Sequence, residues 1–158
     1  MNRAEKSINH MLVRLFNDIL DIEERALTTG EFSDASVREM HVLEATGASG
    51  EENSMSAIAA RLGITVGSLT VAVTTLERKG YLTRVRAVED KRIVRVSLTP
   101  KGEAANEHHA RFHEEMVTAV REALSPPQME VLVEALDHIT MFFERYLERE
   151  NQNTQDGK

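Results

Sequence analysis

Between Ser56 and Gly102 the chain reads SAIAARLGITVGSLTVAVTTLERKGYLTRVRAVEDKRIVRVSLTPKG, and few folds accept that order of patterns. A short amphipathic segment places Ile58, Ala59 and Leu62 on one face. Gly63 supplies a turn, where a residue without Cβ enters the left-handed region cheaply. Ile64 is expected to pack beneath that turn, and Thr65 to cap a second helix whose buried face is Leu69, Val73 and Leu76. Two strand-like runs follow, Thr83 to Arg86 and Ile93 to Leu98, the second alternating Val94, Val96 and Leu98 inward with Ile93, Arg95 and Ser97 outward. The order predicts a helix-turn-helix with a hairpin wing.

Charge says what such a module meets. From Arg78 to Arg95 there are seven basic residues and two acidic ones, in a chain whose formal net charge is −7. A compact basic patch on an acidic protein is the footprint of local contact with a polyanion, and argues against coating nucleic acid along the whole surface. Aromatic residues make up 4% of the chain and Trp is absent, so broad stacking platforms for single strands are not expected. Duplex DNA is the expected partner.

Other function classes fall away on composition. With no cysteine, disulfides, thiolate-ligated zinc and thiol-based peroxide sensing are excluded. No apolar run approaches the roughly 20 residues of a membrane span, and MNRAEKSINHML does not read as a secretory signal; a cytoplasmic protein with no membrane partner is expected. Nucleophile–base pairs and phosphate-binding glycine loops are missing, and Thr65-Val66-Gly67-Ser68 lacks the lysine and spacing of a P-loop. An enzyme is not expected, nor a resident cofactor.

Flanking the module are long amphipathic helices. Ile8, Met11, Leu12, Leu15, Phe16, Ile19, Ile22 and Leu27 recur at mainly three- and four-residue steps, ending at Gly30. Ser36-Val37-Arg38-Glu39 is a capping box opening a helix through Met40 and Leu43 to about Gly47. Thr99-Pro100 and Ser125-Pro126-Pro127-Gln128 each offer a cap with proline inside it. The first leads a helix through Ala105, His109, Phe112, Met116 and Val120. The second leads one carrying Met129, Leu132, Leu136, Ile139, Phe143 and Tyr146. The expected architecture is mainly α with a small β-hairpin wing. A dimerisation helix spans residues 1–30, the DNA-binding region 34–99, further dimerisation helices 100–149, and a disordered tail 150–158. Apolar stripes in excess of what one module can bury point to a two-fold homodimer.

Candidate DNA contacts lie on the outer face of the second helix and its surroundings: Ser56, Thr65, Val66, Gly67, Ser68, Thr70, Val71 and Thr74. These short side chains permit close approach to a groove floor, with hydroxyls for base edges or phosphates and methyls for thymine. Without Arg, Asn or Gln before Arg78, guanine readout is weak and shape readout gains weight. Lys79, Arg84 and Arg86 add charge. Asp90, Lys91 and Arg92 form a wing tip able to enter a minor groove, with Asp90 holding Arg92 in position.

The run LERKGYLTRVRAVEDKRIVRVSLTPKG resembles the signature of the MarR family of transcriptional regulators, and the order of elements is similar from about Asn2 to Leu147. That resemblance implies a triangular homodimer, two winged modules on a pseudo-palindrome, repression, and an effector bound between the dimer helices and the DNA-binding module. Glu39-Met40-His41, Leu76 to Tyr81, and His109-Ala110-Arg111-Phe112-His113 with Glu115-Met116-Val117 resemble the fatty-acid-synthesis repressor subgroup, which implies a long acyl chain on acyl carrier protein as corepressor. Leu15, Ile19, Ile22, Val37, Met40, Phe112 and Met116 could wall such a tunnel, with His41 or His113 near the thioester. The competing reading of those stripes is plain core or dimer interface. Two alternatives stand beside the acyl reading. One is a small aromatic or lipophilic ligand. The other is zinc, since His109 and His113 share a helical face at a spacing that can hold a metal.

Overall fold

The computed structural model describes residues 2–28, 30–48, 50, 53–87 and 93–156. Six helices and one hairpin follow in the order α1 (Arg3–Thr28), α2 (Val37–Gly47), α3 (Met55–Leu62), α4 (Val66–Arg78), β1 (Leu82–Arg86), β2 (Val94–Leu98), α5 (Pro100–Ala123) and α6 (Pro126–Asp156). The chain divides into two compact units, residues 1–113 and 114–158.

Local chemistry sets the helix boundaries. The Ser36 hydroxyl accepts from the Glu39 amide at 3.3 Å while the Glu39 carboxylate accepts from the Ser36 amide at 2.8 Å, closing the capping box of α2. Ser54 caps α3, and Gly63 ends it with φ +64° in the left-handed region. Thr65 caps α4. Thr99 caps α5, its hydroxyl accepting from the Gly102 amide at 3.1 Å. All of these satisfy backbone groups that a helix end leaves without partners.

The core of the first unit is assembled around α4 and the hairpin. Met40 and Leu43 from α2, Ile58 from α3, Leu69, Val73 and Leu76 from α4, and Tyr81, Leu82 and Val96 from the wing base are fully buried together. β1 and β2 pair antiparallel in the register Leu82↔Leu98 through Arg86↔Val94. Ser54 adds an isolated antiparallel bridge to Arg95, and the Val96 amide donates to the Asn53 carbonyl at 2.9 Å, so the turn before α3 is stitched to the hairpin.

Three expectations change here. Ile64, expected beneath the turn, is exposed, because the left-handed Gly63 swings the chain outward before Thr65 restarts the helix. On α1 the expected stripe splits: Leu12, Ile19 and Glu23 turn inward, while Ile8, Met11, Leu15, Phe16 and Ile22 are exposed. Helix α6 continues through residues 150–156, expected to be a disordered tail; neither Pro nor Gly interrupts it before Gly157. In the second unit, Val131, Leu136, Phe142, Phe143, Tyr146 and Leu147 of α6 are exposed apolar residues.

Candidate nucleic-acid interface

Helix α4 presents a buried face to the core and an outer face of small side chains. Val66, Gly67, Ser68, Thr70, Val71 and Thr74 are all exposed there, as is Ser56 at the start of α3. Thr65 accepts from the Ser68 amide at 3.1 Å, and the two hydroxyls are 2.9 Å apart. The Thr70 and Thr74 hydroxyls donate to the carbonyls of Val66 and Thr70, each at 2.7 Å. Their protons are therefore used within the helix, and what they offer outward is a methyl group and an acceptor lone pair. Between them stands Val71, 69% exposed although it lies mid-helix on the module's face.

The basic residues divide by use. Lys79, placed by the sequence among the DNA contacts, turns its ammonium to the Glu39 carboxylate at 2.8 and 2.9 Å and to the Asp34 carbonyl. Burial pushes the Glu39 carboxyl up, yet hydrogen bonds from Lys79 and Ser36 outweigh it and hold the group below the usual carboxylate range. Arg84 donates to Glu77 at 2.6 and 3.0 Å, and this bond lowers the Glu77 carboxyl. Arg86 is exposed on β1. Asp90, Lys91 and Arg92, including the proposed Asp90–Arg92 contact, lie outside the described residues.

Much of the run from Lys79 to Gly102 is thus architectural. The Tyr81 hydroxyl donates to Asp34, which holds the Asp34 carboxyl below its ordinary value. Burial, and then the Asp34 charge, push the Tyr81 phenol well up. Lys101 sits 4.0 Å over the Tyr81 ring and 3.4 Å from the Asp34 carboxylate. The Tyr81 carbonyl accepts from both the Thr99 amide at 3.0 Å and its hydroxyl at 3.1 Å. A Cβ on Gly102 would lie 2.1 Å from that same oxygen, so only glycine lets α5 start this close to the wing.

Within the first unit, the residues expected around an effector fall in different surroundings. Met40 belongs to the core, Leu15 and Ile22 are exposed, and Ile19 is half-buried. Val37 and His41 line an open groove of about 800 Å³ with Leu20, Asp34, Arg38 and Lys79. Phe112 stacks edge-on against His113, and Met116 falls in the second unit. His41, His109 and His113 instead gather with Glu23, each offering one ligand atom within 4.8 Å of the others. Burial, followed by the His113 charge, lowers the His109 imidazole to about 4. The sequence offers His109 and His113 as a metal pair and His41 beside a thioester, but does not single out Glu23. Its signal was a carboxylate four residues after Ile19, on the inward side of α1.

The chain is similar to known regulators along nearly all its length. A family model described as "MarR family" matches residues 33–93. The crystal structure of Streptococcus pneumoniae FabT in complex with DNA superposes with a TM-score of 0.79 at 34% identity, covering 89% of this chain and 97% of that one. The chain belongs to the MarR family. The S. aureus MepR–DNA complex shares the fold, with a TM-score of 0.71 at 19% identity over 86% of this chain and 97% of the other. The transcriptional regulator SarZ of Staphylococcus saprophyticus is 38% identical over 57 residues, a match spanning 36% of this chain and 39% of SarZ. This MarR-family protein is a DNA-binding transcriptional regulator, in a family of regulators and not of enzymes. No single helix among the described residues is long and apolar enough to cross a membrane.

Proposed function

We propose that this protein is a repressor that binds a pseudo-palindromic operator as a homodimer. Helix α4 lies in the major groove, with Thr65, Val66, Gly67, Ser68, Thr70, Val71 and Thr74 toward the bases. Ser56 and Arg86 stand at the phosphates, and Asp90, Lys91 and Arg92 are proposed to contribute to DNA binding as well. The observation that carries this reading is the outer face of α4, where Val71 is 69% exposed between threonines that present methyls. Such a surface matches thymine methyls in a major groove. The dimer is supported by the exposed Ile8, Met11, Leu15, Phe16 and Ile22 of α1 and, separately, by the apolar residues of α6, which a second copy would cover.

Fluorescence anisotropy with duplexes from the region upstream of the chain's own gene tests this. A two-half-site duplex should bind far more tightly than a single half-site, and affinity should fall steeply with salt. Equal affinity for both duplexes, or a monomer at micromolar concentration, would overturn it.

A second reading concerns the effector. The 34% identity to FabT, with the subgroup resemblance around His41 and His113, supports a long acyl chain on acyl carrier protein. The groove beside Val37 and His41 is the place it would enter. Acylated carrier protein should then shift operator affinity several-fold, and unacylated carrier should not.

A further inference from the structure

The cluster in the first unit is built from three elements. Glu23 comes from α1, His41 from α2, and His109 and His113 from successive turns of α5. It is not a surface accident. The side chains of Glu23 and His109 are each 3% exposed, and a buried carboxylate has to be neutralised by something. His113 Nε2 lies 3.3 Å from His109 Nε2 and 3.4 Å from Glu23 Oε1, and His109 Nε2 lies 3.8 Å from the same oxygen. Four donors at zinc bond lengths, arranged tetrahedrally, stand about 3.4 Å apart. The three separations therefore bracket that edge before any ion draws the ligands together.

The surroundings of His109 suit a metal-binding tautomer. His109 Nδ1 is buried with no hydrogen-bond partner, and the Glu44 carboxylate lies 3.8 Å from it. An N–H on Nδ1 aimed at Glu44 leaves the Nε2 lone pair directed into the cluster. A carboxylate behind a histidine is the usual support of a metal-bound imidazole. Without an ion, His113 with its proton on Nε2 can donate to the His109 Nε2 lone pair; a bound ion would take that lone pair and replace the bond.

We propose that Glu23, His41, His109 and His113 form a binding site for a divalent first-row transition ion, with Zn²⁺ as the ion of best fit. Three imidazoles and one carboxylate, with no thiolate, are a borderline donor set suited to Zn²⁺, and not to Mg²⁺ or Ca²⁺, which take mainly oxygen ligands. The ion joins α1, α2 and α5, and it stabilises whichever arrangement of those helices brings the four ligands together.

The test uses untagged, chelator-treated full-length protein without DNA, so its outcome is independent of the operator reading. Zn²⁺ is titrated in competition with a chromophoric chelator, and Co²⁺ is added separately as a spectroscopic probe. One Zn²⁺ per chain is expected, with a tetrahedral Co²⁺ absorption band and a rise in unfolding temperature on adding Zn²⁺. Glu44→Gln should weaken binding about 10-fold, as outer-shell partners do, and His41→Asn and His113→Gln each by more than about 100-fold. His10→Ala, on the exposed start of α1, should bind as the wild type does. Affinity weaker than about 10 μM, six-coordinate Co²⁺, or binding indifferent to His41 and His113 would overturn the site. The wild-type Co²⁺ spectrum decides even if a variant misfolds.

Discussion

Lys79 separates two ways in which a basic residue in a DNA-binding module can matter. A surface lysine at the end of a recognition helix reads as a phosphate contact, yet its ammonium makes two bonds to Glu39 and one to the Asp34 carbonyl. The side chains of Lys79 and Glu39 are 23% and 13% exposed, placing the pair between the surface regime, worth up to about 1 kcal/mol, and the buried regime, where breaking a pair costs about 3–5 kcal/mol. Lys79→Met should therefore cost about 2 kcal/mol in urea unfolding. Glu39→Gln should cost less, because Ser36 still caps α2, and the double variant should recover part of the sum. The DNA readout is the decisive one. A phosphate contact contributes about 0.9 to the slope of log affinity against log salt, or about 1.8 for a dimer carrying two copies. With Lys79 held by Glu39, the Lys79→Met slope should match that of the wild type once both proteins are folded. A slope reduced by nearly 2 with an unchanged urea midpoint would refute the assignment and return Lys79 to the DNA.

Gly102→Ala forces a Cβ to within 2.1 Å of the Tyr81 carbonyl, and overpacking of this kind costs about 1–3 kcal/mol or more; chemical denaturation should show it, whereas an unchanged midpoint would mean that α5 shifts freely. Val71→Ala should leave stability within about 0.5 kcal/mol, since the side chain touches solvent, but weaken operator binding by about 1 kcal/mol per half-site and flatten the preference for one thymine position. In metal-free protein, His109 is held neutral near 4, against 6.5 for an ordinary histidine, with Glu23, His41, Glu44 and His113 facing it. The unfolded chain takes up the proton first, so stability is complete above pH 6.5 and is lost on acidification toward pH 4, by about 3 kcal/mol. His109→Phe should blunt that acid loss in pH-dependent unfolding, and an identical profile would contradict it.

The parts of this fold legible in the sequence are those fixed within a few residues. The Ser36–Glu39 box, the left-handed Gly63, the Thr65 and Thr99 caps and the hairpin alternation each close over short spans, so residue type alone suffices. What escaped the sequence depends on chain segments meeting. Lys79 and Tyr81 look free until Asp34 arrives from 45 and 47 residues away. Glu23 looks like an ordinary helix carboxylate until α5 brings His109 and His113 beside it. The inward face of α1 is not legible for the same reason: an apolar stripe broad enough to serve two surfaces does not say which edge meets the module and which is left for another chain. Two histidines on one turn were visible, but a four-ligand set was not.

The central claim is that two copies of this chain read DNA together through α4 and the wing. Hydroxyl-radical footprinting of the wild-type protein on the duplex upstream of its own gene tests it most directly. The account predicts two symmetric protected tracts whose centres are about 10 base pairs apart, or a small multiple of that spacing, both lost together in Val71→Glu. A single unsymmetrical tract, or protection that survives a glutamate in the middle of the α4 outer face, would contradict it.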